Sequence, residues 1–146
     1  MKRVTIIALV CILVVLSSCT FGLNTMGYEV KHGDLESSWK YVASFEYQDD
    51  PEGYWKSPME FERDGGGDCE DFATDLMYYL GPESQLYIVK LNWFDDYHAI
   101  VHYNGRFIES EVYDMYYDES EFIIEQIFSY QDVMQGATDF GRKDIK

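Results

Sequence analysis

Cys69 follows the run Gly65-Gly66-Gly67-Asp68, and its surroundings are those of a residue that could do covalent chemistry. Asp68 reads as a helix N-cap, with Cys69, Phe72, Ala73, Leu76 and Leu80 on one helical face and Gly81-Pro82 as the stop. A helix N-terminus stabilises anions, so a thiol in its first turn ionises more readily. The free N–H groups of that turn can also hold a developing oxyanion. Asp68, Glu70 and Asp71 act in the opposite direction, because like charge disfavours a thiolate. Helical spacing predicts that Glu70 and Asp71 turn towards solvent. The plain alternative is an inert thiol buried on a core helix.

A thiol nucleophile needs a base within hydrogen-bond reach, and the base needs an orienting partner. The chain has three histidines. His32 precedes the first predicted helix, whereas His98 and His102 share one predicted strand. Asn104-Gly105 between apolar runs signals a two-residue type I′ hairpin. That turn pairs Tyr103 with Arg106 and, continued, sets Ile100 opposite Glu109 and His98 opposite Glu111. His98, Glu109 and Glu111 then share a face, so either glutamate is placed to accept the His98 N–H. His102 lies near the hairpin tip, which leaves His98 as the base nearer the open end.

The elements around these residues follow from caps and periodicity. Asp34 caps a helix carrying Leu35, Trp39, Val42 and Ala43. Gln48 to Gly53 is a turn, and Ser57-Pro58-Met59-Glu60 has the capping-box order that opens a short helix. Beyond Pro82 the period falls to two, giving strands over 86–93, 97–103 and 106–113. After Tyr117, the spacing of Phe122, Ile123, Ile127 and Phe128 predicts a helix. Helices first and an antiparallel sheet second is an α+β layout, with the Cys69 helix packed on a small sheet.

The chain is 146 residues long and 47% hydrophobic, with 27 Asp+Glu against 11 Lys+Arg and a net charge of −16. This fits one domain and excludes a disordered acidic chain, given 13 Tyr, 9 Phe and 3 Trp. The negative charge argues against nucleic acid and anionic lipid as partners. Lys2 and Arg3 precede an apolar run, Val4 to Leu16, that falls short of the roughly 20 residues a spanning helix needs. Leu16-Ser17-Ser18-Cys19 follows and resembles a bacterial lipobox, after which the cysteine is diacylated and becomes the mature N-terminus. An ordinary signal peptide or a short N-terminal membrane anchor is the plain alternative.

The expected division is a signal over 1–18, a tether over 19–33 and a domain over 34–146. Lipidation at Cys19 and loss of Cys11 with the signal leave Cys69 as the only thiol. In an oxidising compartment, an unpaired cysteine is a candidate nucleophile.

The block from Gly65 to Ala73, preceded by Tyr54-Trp55-Lys56-Ser57-Pro58-Met59-Glu60, resembles the bacterial transglutaminase-like cysteine proteinases. His98-Ala99-Ile100-Val101 is similar to the strand that carries their histidine. The resemblance spans about residues 50–112. It implies a papain-like, transglutaminase-like core and a Cys-His-acid triad that cleaves or rearranges amides through a thioester. Cys69 would be the nucleophile, His98 the general base and Glu109 the third member, where the family usually has Asp. Asp68 and Glu70 match positions to which calcium binding is attributed in some members, although thiol chemistry itself requires no cofactor.

These readings give a monomeric, lipid-anchored thiol hydrolase of the cell envelope, facing the periplasm or the exterior. Thr20 after Cys19 resembles the default for an outer membrane, in a cell that has one. The expected substrate is a protein or peptide, attacked at a peptide or glutamine amide. The alternative is a non-catalytic papain-like lipoprotein that binds through Tyr41, Tyr54, Trp55, Tyr97 and Tyr116. A calcium-binding module is weaker, because the acidic residues lack the regular spacing of an EF-hand loop.

Overall fold

A computed structural model describes residues 33–136 apart from 50, 52–53, 94 and 112–115. The leader, Cys19, the tether up to residue 32, and the last ten residues lie outside the described residues. Among those described, no helix is long and apolar enough to cross a membrane.

The chain opens with α1 (Leu35–Val42), capped by Asp34, whose carboxylate accepts from the Ser37 N–H at 3.1 Å. A two-residue strand β1 (Glu46–Tyr47) leads to α2 (Pro58–Asp64). Helix α2 starts on a complete capping box: Ser57 Oγ accepts from the Glu60 N–H, and the Glu60 carboxylate from the Ser57 N–H. It ends on Gly65 in the left-handed region (φ 84°).

Strand β2 (Gly66–Gly67) pairs in parallel with β1. This pairing accounts for Gly66, and the side chain of Asp71 accounts for Gly67. A Cβ on Gly66 would lie 1.8 Å from the Glu46 carbonyl oxygen, and one on Gly67 would lie 2.1 Å from Asp71 Oδ2. Neither position leaves room for a side chain.

Helix α3 (Cys69–Leu80) is the centre of the molecule. Its predicted apolar face packs on the sheet, while α1 and α2 cover its other sides, so Thr74, Asp75 and Met77 are buried as well. Strands β3 (Gln85–Leu91), β4 (Tyr97–Tyr103), β5 (Arg106–Ile108), β6 (Tyr116–Tyr117) and β7 (Phe122–Ser129) form one antiparallel sheet in the order β6-β5-β4-β3-β7. A 3-10 turn (Glu119–Glu121) precedes β7, and α4 (Tyr130–Gly136) follows it.

The sheet is apolar on both faces. Leu86, Ile88, Ala99, Val101, Ile108 and Phe128 meet Phe72, Leu76 and Met77 on the helical side. Tyr87, Val89, Leu91, Ile100, Phe107 and Phe122 cluster on the other. The Asn104-Gly105 turn has φ values of 51° and 74°, as a type I′ hairpin requires, and Tyr103 pairs with Arg106.

Three expectations need correction. The segment predicted as a helix after Tyr117 is strand β7, paired with β3 along its length. Ile88 pairs with Gln126 but Val89 with Ile124, so Glu125 is an extra residue in the strand. This bulge turns Phe122 and Phe128 to opposite faces of the sheet, where each joins a different core cluster. The strand predicted over 106–113 ends at Ile108, so the expected Ile100–Glu109 and His98–Glu111 ladder pairs do not form. Trp55 is only 5% exposed and stacks edge-on against Phe128, so it belongs to the core and not to an aromatic contact surface.

Candidate active site

The start of α3 and the start of β4 bring three groups together. Cys69 Sγ, a ring nitrogen of His98 and a carboxylate oxygen of Glu111 lie within 4.8 Å of one another. The loop leading to Cys69 is braced from beneath. Asp71 Oδ1 accepts the Lys56 N–H at 2.6 Å, Lys56 Nζ donates to the Gly66 carbonyl at 2.9 Å, and Nζ lies 3.8 Å from Asp71 Oδ2. Both side chains are buried, so Asp71 does not face solvent as its helical spacing suggests.

His98 Nε2 lies 2.7 Å from Glu109 Oε2, with the imidazole side chain 15% exposed and the carboxylate 4%. Glu109 thus reaches the histidine although the β-ladder ends one residue before it. Three further contacts hold it there. Trp39 Nε1 donates to its backbone carbonyl at 2.6 Å, the Glu111 N–H donates to Oε1 at 3.0 Å, and the Tyr117 hydroxyl donates to Oε2. Sequence reasoning missed Tyr117 and the role of Trp39. No spacing rule connects a tyrosine on β6 or a tryptophan on α1 with an acid between strands.

The electrostatics are those of a crowded acidic site. Burial pushes the Cys69 thiol well up, and Glu70 adds to this with its charge and with a carboxylate oxygen 3.2 Å from Sγ. A hydrogen bond from the Ala99 backbone works the other way without reversing the shift. This corrects one expectation, since the Glu70 carboxylate turns to the thiol and not away from it, and the thiol is harder to ionise than a place at a helix N-terminus alone would make it. For His98, burial is the largest influence and lowers the pKa, but the hydrogen bond and charge of Glu109, with Glu111 and Glu70, raise it above the ordinary value. Burial acts upward on Glu109, yet His98, Tyr117 and the Glu111 N–H together hold its carboxyl below the usual range. Glu111 is pushed up to about 7 by burial and by Glu109 and Glu70, against the pull of His98.

Nε2 faces Glu109, so the carboxylate fixes the ring orientation and the tautomer with its proton on Nε2. Nδ1 is then the nitrogen left to accept a proton from Cys69. His102 is not part of the site: it sits against the rings of Tyr87 and Phe107.

Asp68 and Glu70, the residues matched to calcium binding, offer the hard oxygen donors that ion takes. Calcium takes six to eight oxygens, however, and among the described residues these two belong to no cluster of three metal-ligating groups. Backbone carbonyls and waters count among those oxygens, so the two carboxylates would supply part of a calcium shell, and no chemical step here is routed through the ion.

No family model and no curated protein matches the chain by sequence. Solved structures of LapG from Legionella pneumophila do match its fold. One aligns with a TM-score of 0.56 at 22% identity, covering 70% of this chain and 75% of that one. An EGTA-treated form aligns with a TM-score of 0.53 at 21% identity over 70% and 77% of the two chains. A calcium-bound form gives 0.52 at 23% identity over 77% and 72%. The helices around α3 and the antiparallel sheet beneath them are therefore an α+β fold shared with LapG.

Proposed function

We propose that this protein is a transglutaminase-like thiol hydrolase acting on peptide or glutamine amides, with Cys69 as nucleophile, His98 as general base and Glu109 as the orienting acid. The observation that carries the reading is Cys69 Sγ within 4.8 Å of a ring nitrogen of an imidazole that a buried carboxylate holds. Orientation of a base by a third group is what a thiol triad requires.

With a neutral resting thiol, proton transfer accompanies attack. The Cys69 proton passes to His98 Nδ1 as sulfur bonds to the substrate carbonyl carbon, and backbone N–H groups at the start of α3 face the developing oxyanion. The tetrahedral intermediate collapses, the C–N bond breaks, and His98 returns the proton to the departing amine, leaving a thioester on Cys69. Water attacks the thioester with His98 as base, releasing the carboxylic acid and restoring the thiol. An amine in place of water would give a cross-link; the abundance of water favours hydrolysis.

The setting belongs to the same proposal: a lipoprotein anchored through Cys19, monomeric, working on envelope proteins or peptides. The lipobox-like sequence supports the anchor. Palmitate labelling that disappears in Cys19→Ala is the expected result, and unchanged labelling would refute it. Profiling peptides released from envelope proteins should find products of the wild-type chain that Cys69→Ala does not make. Identical profiles would contradict the hydrolase reading.

One observation favours a second reading, a non-catalytic scaffold that binds envelope partners: burial and Glu70 both hold the thiol neutral. That reading expects Cys69→Ser to retain the full biological effect.

A further inference from the structure

We propose that Cys69, His98 and Glu111 form a binding site for zinc, and that zinc bound there withdraws the thiol from nucleophilic use. Their donor atoms lie within 4.8 Å of one another, and they are the group with metal-ligand geometry among the described residues. Tetrahedral zinc bonds of about 2.0–2.3 Å place ligand atoms roughly 3.3–3.8 Å apart, a distance that small side-chain rotations reach from here.

The donor types agree. Thiolate, imidazole and carboxylate are the three ligands zinc takes, and three protein ligands leave a fourth position for water or another small ligand. Calcium, which wants many hard oxygens, is poorly served by sulfur and nitrogen.

Two further observations suit a metal at this cluster, the first of them shared with the triad. The first is Glu109 on His98 Nε2, backed by Tyr117 and the Glu111 N–H. Zinc-ligating histidines characteristically give their second ring nitrogen to a carboxylate in this way. The second is Glu111, whose side chain the proposed triad does not use and which presents a buried Oε1 with no hydrogen-bond partner among the described residues. A buried carboxylate oxygen without a partner carries a cost that a cation removes. Binding releases the Cys69 proton to solvent as the Zn–S bond forms, so no other reactant is needed.

The site shares side chains with the thiol chemistry but not its outcome, so the test reads the two separately. The metal-free full chain is titrated with cobalt(II) as a spectroscopic probe, and then with zinc in competition with a chromophoric chelator. The expected result is one cobalt per chain, a near-ultraviolet thiolate-to-cobalt band, tetrahedral visible bands, and displacement by zinc but not by calcium. Cys69→Ser should abolish the thiolate band, and Glu111→Gln should weaken zinc binding at least tenfold. In the wild-type chain, zinc should block alkylation of Cys69 by iodoacetamide, and EDTA should restore it, a readout that needs no variant. Absence of the thiolate band, or zinc binding unchanged in folded Cys69→Ser or Glu111→Gln, would overturn the site. A cobalt band in a chain whose apo thiol resists alkylation would uphold the metal site and defeat the thiol reading; the reverse pattern would do the opposite.

Discussion

At the residue scale, the site turns on how Glu109 is held and what it does to His98. Its charge raises the imidazole pKa, so Glu109→Gln should lower it. If His98 must be neutral to accept the thiol proton, the alkylation rate of Cys69 rises as pH passes the His98 pKa. Glu109→Gln should therefore move that inflection to lower pH and reduce the plateau; an inflection that stays put would remove Glu109 from the site. Tyr117→Phe should cost several-fold in the plateau, because one of three supports of Glu109 is lost. Asp75 provides an independent check on burial. It is fully buried, neither carboxylate oxygen has a hydrogen-bond partner among the described residues, and burial with the nearby Glu62 pushes its pKa up to about 8. The folded state then keeps a proton that the unfolded chain loses near pH 4, so this contribution to stability declines as pH rises from about 4 towards 8. Asp75→Asn should flatten the decline and stabilise the protein at pH 7 by an amount on the order of 3 kcal/mol, read from urea unfolding at several pH values.

At the element scale, the helices were legible because their ends are marked by chemistry. Asp34, Ser57 with Glu60, and Asp68 each stand at the N-cap the sequence suggests. The hairpin was equally plain from Asn104-Gly105. Strand β7 was not, because its extra residue at Glu125 breaks the period of two, and its central residues are exposed at the edge of the sheet. What remained was an apolar spacing that imitates a helix. The close packing of β2 was also hidden, since a glycine run shows permissiveness but not what it lies against. The structure separates the three glycines. Gly65→Ala meets no atom within 4 Å and should cost about 1–2 kcal/mol for its left-handed backbone alone. Gly66→Ala runs into the Glu46 backbone and should cost about 3 kcal/mol or more, measured by thermal unfolding. Equal effects would mean that β1 and β2 are not paired as described.

At the scale of the whole molecule, the acidic balance argues against nucleic acid and anionic lipid as partners but does not locate the charge. Part of it converges on the site: Glu70, Glu109 and Glu111 surround His98 and the thiol, a convergence that arises only when α3, β4 and the segment after β5 meet. Each residue was visible in the sequence; their mutual distances were not, because Glu109 reaches His98 from outside the ladder. A net charge of −16 also repels itself in the compact state. Raising sodium chloride from low millimolar levels to a few tenths molar should therefore raise Tm, and a Tm that falls or stays constant would show that the acidic surface carries no net strain.

The most direct test of the central claim is the rate at which iodoacetamide alkylates Cys69 near neutral pH, followed by intact mass in the wild-type chain and in His98→Ala. If the imidazole takes the thiol proton, removing it slows alkylation at least tenfold in a folded protein. Equal rates would contradict the pairing on which the proposed chemistry rests.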